Sequence, residues 1–151
     1  MSDLPTLVAH LAWADARTRS SISTLDVTSS EYAESLRLYA HLAAAAHVWC
    51  SRIEGRTPAH VVWPTLTLDE AGALADESVA GLAACVARGA EELERTVSYT
   101  TSTGLSFQNT VAEMIRQVVT HGGYHRGQIA MLVRQGGGAP QATDYIVFVR
   151  L

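Results

Sequence analysis

His121 and His125 stand four residues apart in the run His121-Gly122-Gly123-Tyr124-His125-Arg126-Gly127-Gln128. In a helix each residue advances about 100°, so residues i and i+4 are neighbours on one face. Two imidazoles so placed can converge on one divalent ion, each offering a neutral ring nitrogen at roughly 2.0–2.1 Å. A pair alone holds a metal poorly, so a third donor must come from another element. The chain has no lysine, and all eleven of its basic residues are arginine. Arginine effectively never loses its proton, which removes Schiff-base chemistry, a lysine general base and a phosphate-loop lysine together. Histidine, carboxylate, hydroxyl, tyrosine, thiol or metal remain.

The elements that must position these residues follow from periodicity. At 151 residues the chain, 1–151, reads as one domain able to bury roughly two-thirds of its unfolded surface. Four segments carry a helical apolar pattern. The first runs from about Leu4 to Leu25, with Asp3 as its expected cap and Pro5 in its first turn. The second spans about Glu31 to Glu54, opened by Thr28-x-x-Glu31 as a capping box and closed by Gly55. A connection through Pro58 and Pro64 leads to a second box, Thr67-x-x-Glu70, and a helix continuing to Leu93 across Gly72, Gly81 and Gly89. The stretch Val97–Phe107 suggests an extended segment or small hairpin. Ser106 then caps a last helix, about Gln108 to Gln135, which stops at Gly136-Gly137-Gly138. The apolar tail Thr143–Arg150 is expected to dock on the bundle. The fold class is all-α, a four-helix bundle.

On the last helix His125 follows Val118 by seven residues and His121 lies about 40° from it, so both face the core side. One reading is a pair of core histidines satisfied by carbonyls or tyrosines; the other is a metal site. Glycines 122 and 123 favour the second if they make room beside the imidazoles. On the second helix His41 lies at the edge of the buried stripe, about 80° from Trp49. His47 projects about 160° from Trp49 and reads as solvent-facing, which makes His41 the better third donor. His10 reads as a satisfied half-buried histidine and His60 as a loop residue.

Other classes are excluded or disfavoured. A net charge of −4, with no basic stripe, argues against nucleic acid. No apolar run is long enough to span a membrane, and Met1-Ser2-Asp3-Leu4-Pro5 lacks the pattern of a secretory leader, so cytoplasm is the expected location. Cys50 and Cys85 fall in helices without CxxC spacing and read as buried, inert thiols. Di-iron chemistry needs Glu-x-x-His on two helices, but Val118 and Gly122 stand where the glutamates would.

His41 followed eight residues later by Trp49, then His121-x-x-x-His125-Arg126-Gly127-Gln128, resembles the DinB family of metal-binding four-helix proteins. Trp13-Ala14-Asp15 and the tail Thr143–Arg150 resemble the same pattern, so the likeness covers essentially the whole chain. The resemblance implies a divalent metal, zinc or nickel most often, on His41, His121 and His125, with water at an open position. Ala45 and Ala46 stand where family members often carry an acidic residue, which alters support for the first ligand. Arg126 and Gln128 are expected to orient and pack the helix instead of touching metal. The resemblance further implies a homodimer and a transferase that activates a low-molecular-weight thiol, such as bacillithiol or mycothiol, for attack on small electrophiles. A non-catalytic metal-binding or stress-related protein, or a metal-dependent hydrolase, are the alternatives. The sequence nominates no general base, and its catalytic residues beyond the ligands stay unassigned.

Overall fold

The computed structural model describes residues 3–101 and 103–151. Ser102, within the stretch expected to be extended, and Met1-Ser2 of the amino terminus lie outside the described residues. Four long helices form the bundle: α1 (Leu4–Ile22), α2 (Ser30–Ile53), α3 (Leu68–Ala87) and α5 (Val111–Gln135). Between α3 and α5 come a short α4 (Ala90–Glu94) and an antiparallel hairpin of β1 (Thr96–Thr100) and β2 (Ser106–Thr110). The hairpin register pairs Thr96 with Thr110 and Thr100 with Ser106. A last turn, α6 (Tyr145–Phe148), lies on α1. Around the bundle the order is α1, α3, α2, α5, so the consecutive helices α1 and α2 sit diagonally.

Helix ends follow local chemistry, with four departures from expectation. Ser29, not Thr28, caps α2 by accepting the Tyr32 amide. Thr28 is held in the preceding turn, where its amide and hydroxyl both donate to Asp26. Asp3 sits at the α1 N-cap without a side-chain cap bond; its carboxylate lies 3.8 Å from Arg116. Helix α3 stops at Ala87 instead of Leu93, because Gly89 takes a φ of 91° that starts a new turn. Helix α5 begins at Val111 instead of Gln108. Residues 106–110 are paired in the hairpin, and Thr110 with Glu113 forms the capping box. The Thr67–Glu70 box forms as the spacing predicts. Gly55 ends α2 at φ 67°, with the Arg56 amide bonded to the Ser51 carbonyl and the Gly55 amide to Arg52.

Apolar burial falls into two clusters along the bundle. One gathers Leu4, Leu11, Leu82, Val111, Met114, Ile115 and Val118; the other gathers Ile22, Leu38, Tyr39, Leu74, Ile129 and Val133. Helix α5 feeds residues up to Val119 into the first and from Ile129 into the second. Its intervening turns carry His121, His125 and Arg126, so the polar residues lie at the waist between two dry regions. The tail docks as expected, with Tyr145 and Phe148 packed on His10 and Phe148 also on Trp13; just ahead of it Arg17 donates to the Ala142 carbonyl and the Gln141 amide to Ser21. His10 is buried and donates from Nε2 to the Thr143 carbonyl at 2.9 Å. No helix among the described residues is long and apolar enough to cross a membrane.

Candidate metal centre

Helix α2 is the element that carries the first imidazole, and residues 38–48 of it are buried without a break. The small side chains Ala40 and Ala43–Ala46 let α3 and α5 approach it closely. From its α5-facing side His41 reaches the two imidazoles of α5. The His41 ring is 5.1 Å from that of His121 and 4.8 Å from that of His125, edge to face with both. One ring nitrogen from each of the three lies within 4.8 Å of the others. The His121 and His125 Nε2 atoms are 3.1 Å apart. Two nitrogens each 2.0–2.1 Å from one ion stand about 3.0–3.4 Å from each other at ordinary ligand angles. The α5 pair therefore already has the spacing of two ligands to one ion.

Peripheral bonds fix which nitrogen points inward. His41 donates from Nδ1 to the Val62 carbonyl at 2.8 Å, leaving the Nε2 lone pair free. His125 donates from Nδ1 to Gln128 Oε1 at 2.7 Å, with the same result. The His125 Nε2 then accepts from His121, and a tautomer shift of His121 alone turns both lone pairs to the shared point. Burial holds the His41 pKa below the usual imidazole range. It pushes His121 down to about 4, helped by the neighbouring imidazoles. Both rings are thus neutral near pH 7, the state in which they can ligate. The donor chemistry of these three side chains fits a divalent ion.

The rest of the sequence reading divides. Trp63 lies flat on His41, ring centroids 3.6 Å apart and planes 7° apart. Arg37 stands 4.5 Å over the Trp63 ring. Neither this stack nor the Val62 carbonyl has a signature in residue spacing, and both were missed. Gln128 was findable as the i+3 neighbour of His125, and it orients that ring instead of merely packing. Trp49 packs edge-on against Tyr99 of the hairpin, not against the imidazoles. His47, expected at the surface, is only 4% exposed, because the α2–α3 connection folds over that side of α2. Cys50 and Cys85 are free and buried, and burial pushes their thiols up to about 12 and about 11.

Arg126 turns the opposite way, to α1. Its Nη1 donates to Asp15 Oδ1 at 2.8 Å, and both side chains are buried. Burial raises the Asp15 pKa to about 6, while Arg126 pulls it down. Gly122 makes room for this guanidinium and not for the imidazoles: a Cβ there would meet Arg126 Nη1 at 2.8 Å.

The DinB family model matches residues 1–151. Protein DinB of Bacillus subtilis (strain 168) is 36% identical over 59 residues, which are 39% of this chain and 34% of that protein. The match thus spans about a third of the relative's length. With the family match running over the whole of this helical chain, the protein belongs to the DinB family.

Proposed function

We propose that the protein is a metal-dependent transferase that activates a low-molecular-weight thiol for attack on a small electrophile, with His41, His121 and His125 as the ligands of zinc or nickel. The observation that carries this reading is the convergence of three imidazole rings from two helices, two of them oriented by outward hydrogen bonds. A divalent ion held by three neutral donors keeps its full charge and an exchangeable position, and so supplies the Lewis acidity that holds a thiol deprotonated at neutral pH. The chain's own residues do the holding and the exclusion. Val62 and Gln128 fix two ligand rings, and Trp63 covers one face of His41.

The nucleophile comes from outside the chain in this reading. Both cysteines are buried in the bundle with raised pKa values, so neither supplies a thiolate. A hydrolase would need a general base beside the metal, and the candidate metal group among the described residues consists of the three imidazoles.

The test loads the protein with zinc or nickel and offers cysteine, glutathione, bacillithiol or mycothiol with chlorodinitrobenzene. The thiol sulfur forms a C–S bond as the C–Cl bond breaks, chloride departs and the thiol proton goes to solvent. Thiol-dependent turnover that disappears in His125→Ala supports the transferase. Metal uptake with no turnover for any thiol favours the non-catalytic metal-binding reading.

A further inference from the structure

The connection from α2 to α3 crosses residues 54–67 without helix or strand, yet α2 grips it at two points. His47 Nε2 accepts the Ala59 amide at 3.1 Å. Six residues earlier on α2, His41 Nδ1 donates to the Val62 carbonyl at 2.8 Å. The two imidazoles stand about 120° apart around α2, so the bent strap crosses the helix as it runs back along it, with an imidazole holding each end. Between the anchors His60 packs edge-on to His47, ring centroids 5.5 Å apart. Immediately after them Trp63 lies flat on His41.

We infer that His47 is a positioning residue for the metal centre: by accepting the Ala59 amide it holds the strap on α2, and the strap fixes His41 through the Val62 carbonyl and the Trp63 ring. The inference rests on His41 being a metal ligand. His47 is buried and lies outside the candidate ligand group, so its conspicuous partner is the backbone amide. An acceptor at that amide must be unprotonated. Burial lowers the His47 pKa, His60 and Arg56 lower it further, and Glu77 and Glu54 oppose them. Releasing the strap leaves His41 without the bond that sets its tautomer. Apparent metal affinity then falls with the fraction of molecules in the competent arrangement.

The experiment compares wild type with His47→Leu, which removes the acceptor at similar size, and His47→Gln, whose Oε1 can accept the same amide. Ala59→Pro removes the donor from the strap side and leaves α2 untouched, which covers failure of the leucine variant to fold. Amide hydrogen exchange of the metal-free proteins reads the strap, and zinc competition against a chromophoric chelator reads the centre. His47→Leu should speed exchange of the Ala59 amide about tenfold or more, and both His47→Leu and Ala59→Pro should weaken zinc about tenfold. His47→Gln should restore both to within about threefold. Zinc affinity within twofold of wild type in His47→Leu, or His47→Gln behaving like leucine, overturns the inference. If wild type takes up no zinc, the metal reading fails and takes the inference with it. If zinc binds normally while the strap loosens, the inference alone fails.

Discussion

His125 and Arg126 are consecutive on α5, about 100° apart around its axis, and they serve two unlike polar sites in one bundle. Arg126 meets Asp15 across the α1–α5 contact, opposite charges in hydrogen-bond contact with both side chains almost wholly buried. That site is closed, since each charge answers the other. His125 meets His121 on its own helix and His41 across the α2–α5 contact, three like groups with no countercharge among them. That site is open, because its hydrogen bonds are spent outward on Val62 and Gln128 while the inner nitrogens face one another. Framework and function separate here: an ion pair whose charges cancel within the fold locks helices together, and a cluster of donors alone needs an acid from outside.

The largest effect should come from removing Asp15. Asp15→Ala leaves the Arg126 guanidinium buried without its countercharge, which should cost about 3–5 kcal/mol in urea unfolding. Replacing both partners, Asp15→Leu with Arg126→Met, should recover much of that loss, since the penalty belongs to the orphaned charge. A cost below about 1 kcal/mol for Asp15→Ala would mean that the guanidinium escapes to water, and the closed site would not be closed. Trimming the open site acts on a different quantity. Gln128→Leu removes the acceptor for His125 Nδ1 and should weaken zinc roughly 10–100-fold, read by chelator competition. Stability of the metal-free protein should change little, because Gln128 is only half-buried. An unfolding midpoint that falls as far as in Asp15→Ala would put Gln128 in the framework instead.

Residue type and spacing revealed these two sites unequally. His121 and His125 announce themselves, because i and i+4 on a helix are neighbours whatever the fold around them. The choice of His41 over His47 rests on angle alone; the His41 ring does lie beside the two imidazoles of α5, while the burial of His47 escapes that argument. Helical angle says which side of a rod a residue occupies; it does not say whether a loop will cover that side. Val62 was invisible because its contribution is a backbone carbonyl, which every residue possesses. The break at Gly89 reads as continuing helix in the sequence, since a glycine within a periodic run looks the same whether it continues the helix or reverses φ. Hairpin residues 106–110 concealed the true start of α5, although Thr110 and Glu113 had the spacing of a box all along.

The smallest expected effects come from two adjacent glycines, and their signs should differ. Each glycine in a helix interior gives up about 1 kcal/mol relative to alanine, so on propensity alone both substitutions stabilise. At Gly123 the nearest atom to a new Cβ is Arg126 Nη2 at 4.0 Å, and Gly123→Ala should gain roughly 0.5–1 kcal/mol. At Gly122 the same Cβ would lie 2.8 Å from Arg126 Nη1 and 3.4 Å from Leu11 Cδ1. The end of an arginine ordinarily swings aside, but this Nη1 is held by Asp15 in a buried pair. Overpacking of that kind costs about 1–3 kcal/mol, so Gly122→Ala should come out neutral to destabilising in the same urea measurement. Two stabilising alanines would show a guanidinium free to move, and would shift the rigid part of the molecule away from the α1–α5 contact. Opposite signs would locate that rigidity at the ion pair, one residue along the helix from the imidazole that faces the open site.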